Sequence, residues 1–194
     1  MSRVATLERK TAETSIRLRL DLDGSGVSDI ATGIGFFDHM LSHIARHGRF
    51  DLTVAATGDL HIDDHHTVED VGICLGKAIA EALAEKRGIE RFGAAFVTMD
   101  EALARTVIDL SGRSYFVFLA GFSRESINGF SLELVNEFFR AVAVEGKMNL
   151  HIALLYGANA HHQVEAIFKS FGRALRAAVE KTGGDEIPST KGVL

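Results

Sequence analysis

The sequence predicts an α+β fold: one βββαβα unit written twice, each half a mixed sheet with its helices on one face, the two packed as a layered sandwich. Three internal matches predict it. Glu13-Thr-Ser-Ile-Arg-Leu-Arg-Leu-Asp-Leu-Asp-Gly24 aligns without gaps on Glu101-Ala-Leu-Ala-Arg-Thr-Val-Ile-Asp-Leu-Ser-Gly112, Gly48-Arg-Phe-Asp-Leu52 on Gly146-Lys-Met-Asn-Leu150, and His65-His66-Thr-Val-Glu69 on His161-His162-Gln-Val-Glu165. The offset drifts only slightly between blocks, as loop insertions produce. With a single proline, Pro188, and no Gly/Ser linker, the chain reads as half-repeats 1–90 and 91–182 plus a tail, 183–194, in one compact domain.

Taken in order, residues 3–10 and 15–21 alternate as strands, the second running into an Asp-Gly-Ser-Gly turn, and residues 27–32 form a short third strand. Residues 36–47 are helical, with Phe37, Met40, Leu41 and Ile44 on one stripe and Gly48 as a stop. A strand follows over 50–57. Residues 65–86 make a long helix whose Val68, Val71, Ile73, Leu75, Ile79 and Leu83 face the sheet, with Asp63 or Asp64 able to cap its start. The second half repeats the order: strands at 93–99, 102–110 and 114–120, a helix at 132–144, a strand at 149–155 and a helix at 160–181.

Composition narrows the partners. The 194 residues are 46% hydrophobic and 24% charged, with a net charge of -5 and no basic run longer than two residues, so neither a nucleic-acid nor an anionic-membrane footprint is present. The lone cysteine, Cys74, excludes an internal disulfide and fits a reducing cytoplasm. Residues 1–10 carry no apolar signal region, and no window is long and apolar enough for a membrane span. A small-molecule partner is expected.

The duplicated His-His-x-x-Glu pattern carries the chemistry. On a helix, residues four apart share a face while neighbours diverge by about 100°. His65 and Glu69 can therefore reach one ion while His66 points to another, and His161, Glu165 and His162 repeat this. Two copies suggest two ions, each taking a His/Glu pair from one helix and the adjacent histidine of the other. His39 and His151 are the best further ligands, giving three histidines and one glutamate per ion. Two positions then stay open on an octahedral ion, which suits manganese or a similar divalent metal. His43, His47 and His61 read as surface or packing histidines, and Asp38, Asp64 and Asp70 as carboxylates able to orient imidazoles.

Basic residues beside glycine supply an anion side. Arg91, Arg113 and Lys169 fit neither core nor helix face, and the tail Pro188-Ser189-Thr190-Lys191-Gly192 offers two hydroxyls and an ammonium that can fold over a phosphate. Together these point to a small phosphorylated substrate that chelates the ions.

Four separated segments, Gly33-Ile-Gly-Phe-Phe-Asp-His-Met-Leu41, Asp63-Asp-His-His-Thr-Val-Glu-Asp70, Ala160-His-His-Gln-Val-Glu-Ala-Ile-Phe-Lys169 and Pro188-Ser-Thr-Lys-Gly192, resemble the signatures of the imidazoleglycerol-phosphate dehydratases of histidine biosynthesis. By position the resemblance implies that His39, His65, His66, Glu69, His151, His161, His162 and Glu165 bind two Mn2+ ions, and that Glu13, Arg91, Arg113, Lys169, Ser189 and Lys191 contact substrate. It also implies a 24-subunit shell with sites at subunit junctions, and a monofunctional enzyme without a fused phosphatase. Gly35, where proline is expected, and Gly172, where alanine is expected, depart from the pattern beside the motifs.

The implied reaction converts imidazoleglycerol phosphate to imidazole acetol phosphate. The hydrogen to be lost lies on a carbon without an adjacent carbonyl, so the ring must accept electrons first, as a metal-bound imidazolate giving a diazafulvene-like intermediate. Glu13 is the nominated base, with Glu69 or Glu165 assisting proton movement. Two rivals are a binuclear phosphoesterase, which would favour bridging aspartates, and a metal-binding assembly protein, which leaves Arg91, Arg113 and the tail without a task.

Overall fold

The computed structural model describes residues 3–194. Strands β1 (Val4–Lys10), β2 (Thr14–Asp21) and β3 (Ser28–Ala31), helix α1 (Gly35–Gly48), strand β4 (Asp51–Gly58) and helix α2 (His65–Leu83) make the first half. The second half has β5 (Phe92–Met99), β6 (Ala102–Asp109), β7 (Tyr115–Leu119), the short strands β8 (Ser126–Ile127) and β9 (Phe130–Ser131), α3 (Leu134–Glu145), β10 (Asn149–Tyr156) and α4 (Ala160–Ala178). The sheets have matching orders, β1-β2-β4-β3 and β5-β6-β10-β7. In each, the outer strand that precedes the helix pairs in parallel and the other pairings are antiparallel. Alternation along β2 buries Ile16, Leu18 and Leu20, and along β6 buries Ala104, Thr106 and Ile108, so each sheet turns one face to the helices.

The helices pair across the halves: α1 packs on α4 and α2 on α3. Both crossings are close because a glycine sits at each. A Cβ on Gly172 would lie 2.9 Å from the carbonyl oxygen of Ile44, and one on Gly76 would lie 2.8 Å from that of Val142 and from the amide of Gly146. Phe138, Phe139, Phe168 and Phe171 fill the middle, with neighbouring centroids 4.8–5.5 Å apart. One contiguous core therefore spans both halves, and each fully buried phenylalanine is worth about 1.5–3 kcal/mol.

Some boundaries differ from the expectation. The hairpin β8–β9 is an addition to the second half; its Asn128-Gly129 turn takes positive φ at both residues (49° and 86°), which the Asn-Gly pair favours. Gly48 does not stop α1. It is the last helical residue, Arg49 takes the left-handed conformation (φ 55°), and Gly48 is needed because a Cβ there would meet the Phe50 ring at 2.3 Å. Helix α2 ends at Leu83 rather than 86, where Ala84 turns to positive φ, and α4 ends at Ala178, three residues short of Lys181, which bridges to Ile89.

Candidate metal centre

Each long helix begins just after a side chain that accepts a hydrogen bond from the amide two residues on. Asn159 Oδ1 takes the His161 amide at 2.9 Å and Asp63 Oδ1 takes the His65 amide at 2.8 Å. Asp64, the alternative cap, makes no such bond. This start fixes which way His161 and His65 leave the helix.

The α1–α4 crossing gathers a cluster of candidate ligands. Glu165 Oε2 lies 3.1 Å from His161 Nε2, 3.3 Å from His43 Nε2 and 3.4 Å from His39 Nε2. Ligands at 2.0–2.2 Å from one ion stand roughly 3 Å apart; the donor atoms of His39, His43 and Glu165 all lie within 4.8 Å of one another, close enough to hold a single divalent cation, with His161 beside Glu165. Two imidazole nitrogens and a carboxylate oxygen form the borderline set that transition ions prefer, with the His161 imidazole beside them. The other oxygen, Oε1, is held by Lys169 Nζ at 2.5 Å. Burial opposes ionisation of Glu165, but the Lys169 hydrogen bond and the charges of His43 and Lys169 outweigh it and bring its pKa to about 2. Burial lowers His43 to about 4, so its nitrogen is free to ligate at neutral pH. The sequence alone reads His43 as a surface or packing histidine. Its signal was its spacing, four residues beyond His39 on the same face.

The second histidines are held differently. His66 Nδ1 meets Asp59 Oδ2 at 3.0 Å, leaving Nε2 3.9 Å from Glu13 Oε1; His162 Nδ1 meets Glu101 Oε2 at 2.7 Å, leaving Nε2 3.9 Å from Asp100 Oδ2. A carboxylate on Nδ1–H presents the Nε2 lone pair outward, the arrangement common to metal-bound histidines. These hydrogen bonds raise the pKa of both imidazoles and bring Glu101 down to about 2. Asp59 and Glu101 therefore do the orienting expected of Asp38, Asp64 and Asp70. Asp38 instead accepts from Thr32, and Asp70 is buried against Arg9 and Thr14. The repeat could have revealed Glu101, which aligns with Glu13.

The remaining candidates do not join the cluster within one chain. Glu69 Oε1 lies 2.9 Å from Arg140, which also bonds Glu137; the His65 ring stands beside that of His66, with centroids 6.1 Å apart. The pairing of His65 and Glu69 with His162, and of His161 and Glu165 with His66, is not met inside a chain because α2 packs on α3 and α4 on α1. His151 lies on the outer face of its sheet, between Val107 and Val117 in register and stacked near Tyr115 at 6.2 Å.

The anion candidates gather elsewhere. Arg91 grips Asp109 (2.7 and 3.2 Å) and donates to the Pro188 carbonyl at 2.8 Å, anchoring the tail. The tail turns over Ser189, whose oxygens accept the Lys191 and Gly192 amides, and Leu194 returns against Gly112 beside the exposed Arg113. Thr190 and Lys191 are exposed. The Arg91 amide bonds Ala178, the end of α4, whereas His161 begins it; a helix of that length spans about 26 Å. Lys169 alone stands with the imidazoles. Glu13 borders an open groove of about 330 Å³ with Ser15, Thr57, Asp59 and His61.

Comparison with known proteins adds the following. The family model described as "Imidazoleglycerol-phosphate dehydratase" matches residues 32–175. Proteins of that name from Hydrogenovibrio crunogenus (57% identical, 99% of this chain and all of theirs) and Granulibacter bethesdensis (57%, all of both) are similar throughout. Crystal structures of the Staphylococcus aureus dehydratase (40% identical, 92% of this chain and 99% of that one) and of the Pyrococcus furiosus IGPD in complex with (S)-C348 (37%, 97% and 100%) each superpose with a TM-score of 0.84.

Proposed function

The chain belongs to the imidazoleglycerol-phosphate dehydratase family and is a hydro-lyase of histidine biosynthesis that dehydrates imidazoleglycerol phosphate; we propose that it does so with two divalent ions, in sites completed where copies of the chain meet. The observation that carries this reading is the gathering of His39, His43 and Glu165, with His161 beside them, while the other candidate ligands stand apart from that cluster. His65, His66, Glu69, His151 and His162 would complete the ligand set from a neighbouring copy. The outer sheet face around His151 supports that, since Phe92, Phe96, Tyr115 and Leu119 are each about 60% exposed there. The 24-subunit shell is the form expected of this assembly, and Mn2+ the ion that suits its nitrogen and carboxylate donors.

Ions held by these residues would supply Lewis acidity toward the imidazole ring. The chain's own groups do the rest. Arg91, Arg113, Lys169, Ser189, Thr190 and Lys191 would fix the phosphate through charge-assisted hydrogen bonds and so align the reacting carbons. Glu13 is the base this reading favours. Its carboxylate borders the groove and faces His66, whereas Glu165 is tied to Lys169 and Glu69 to Arg140. Glu69 and Glu165 would relay protons beside the ions. Among the described residues no helix is long and apolar enough to cross a membrane, and the cytoplasm is proposed as the place of action.

The test is to incubate Mn2+-loaded protein with imidazoleglycerol phosphate and follow the enolisable ketone, beside a chelator-treated control. Full turnover after chelation would defeat the metal reading. Neither the phosphoesterase nor the storage reading is favoured by the relatives, and release of inorganic phosphate in place of ketone would be needed to revive the former.

A further inference from the structure

The two metal-side glutamates are each tied to a cation, but in different ways. On α4, Lys169 takes Glu165 Oε1 while Oε2 faces three imidazoles, so the tied and the ligating oxygens are separate atoms. On α2, the residue matching Lys169 is Ile73, and the cation comes from α3. A single nitrogen of Arg140, NH2, lies 2.9 Å from Glu69 Oε1 and 2.6 Å from Glu137 Oε2, while its Nε holds the same Glu137 oxygen at 2.8 Å. Among the described residues no imidazole nitrogen comes within 4 Å of the Glu69 carboxylate.

The repeat explains the placement. Gly48 and Gly146 match, and nine residues before each stand His39 in α1 and Glu137 in α3. The α2–α3 crossing thus presents Glu69 to Glu137, as the α1–α4 crossing presents Glu165 to His39. One nitrogen between two carboxylates from two helices stands where a bridging cation would stand. All three side chains are 31–46% exposed, so the guanidinium can leave without uncovering the core.

We propose that Arg140 is a resident counter-cation that competes with the divalent ion for Glu69, so that the Glu69 site fills after the Glu165 site and with lower affinity. This rests on Glu69 and Glu165 both being ligands. A guanidinium held by Glu137 neutralises Glu69 and repels an arriving dication. The ion must therefore turn Arg140 back onto Glu137 alone.

The test is a Mn2+ titration of chelator-stripped full-length protein by calorimetry, with electron paramagnetic resonance counting bound ions and thermal melts confirming the fold. Two affinity classes are expected, the tighter lost in Glu165→Gln and the weaker in Glu69→Gln. Arg140→Gln should tighten the weaker class by about 1.5- to fivefold, the scale of the half-exposed ion pair removed from Glu69, and leave the tighter one unchanged. Arg140→Lys, which keeps the charge, should stay near the parent. A weaker class that is unchanged or loosened in Arg140→Gln overturns the proposal, as does a single affinity shared by both ions in the parent. Survival of both classes in Glu69→Gln takes Glu69, and Arg140 with it, out of metal binding. A parent that binds no Mn2+ defeats the metal reading itself, and so is told apart from failure of Arg140 alone.

Discussion

The two halves share a scaffold and divide the chemistry. Their sheets have the same order, their long helices begin with the same side-chain-to-amide bond, and their helix crossings are closed by matched glycines, Gly76 with Gly146 and Gly172 with Gly48. The polar residues laid on that scaffold differ. Glu165 collects three histidines and a lysine, whereas Glu69 meets an arginine and a glutamate. Glu101 is spent on His162 and on two backbone amides, whereas its counterpart Glu13 borders the groove with only a longer, 3.9 Å approach to His66. Backbone packing tolerates little drift because a single methyl group collides; exposed side chains at the same positions can be reassigned.

The sharpest way to break this division is at the matched glutamates. Glu13→Gln is expected to lower kcat by about 10²- to 10⁴-fold, the usual contribution of a general base, with metal content by elemental analysis unchanged. Activity near the parent's would remove Glu13 from that role. Glu101→Gln should act on affinity instead, weakening Mn2+ binding by about 10- to 100-fold through His162, with activity recovering at high Mn2+. If added Mn2+ restores nothing, the two glutamates are not divided as described.

The shared scaffold predicts equal losses. Gly172→Ala and Gly76→Ala should each cost about 1–3 kcal/mol of overpacking, seen as a fall in Tm of roughly 2–4 °C per kcal/mol for a chain of this size. A large loss at one crossing and none at the other would show that the crossings are not equivalent. Acid should separate the halves more gently. Glu165 falls from 4.5 unfolded to about 2 folded, so its stabilisation is complete above pH 4.5 and is lost as pH falls toward 2; His43, held near 4, destabilises progressively below 6.5. Melts of Glu165→Gln should therefore decline less steeply below pH 4.5 than the parent's, and parallel curves would contradict this. The smallest effect is expected at Gly35, the first residue of α1, with open space around it and an extended Ile34 before it. Gly35→Pro should raise stability by about 0.4–1 kcal/mol, measurable by urea unfolding; a loss would mean that the turn needs glycine.

Much of this was legible in the residues. The repeat matches gave the element order, and the i, i+4 spacing paired His161 with Glu165. What periodicity cannot show is which helix a face meets. That α4 lies on α1 rather than α2 decides that His43 joins the cluster and that His66 does not, and it depends on glycines whose close contacts exist only in three dimensions. Asp59 was missed for the same reason, since its loop approaches His66 only after folding, whereas Glu101 did carry a signal in its match to Glu13. Gly172 was noticed as a departure, and its reason is the Ile44 carbonyl.

The exchange of helix partners between halves also bears on origin. A single βββαβα unit has no helix of its own to cover α1 or α2, so an ancestor of half this length would have been a homodimer, each protomer lending its helices to the other. Fusing two such units would turn an association that depends on concentration into a tether.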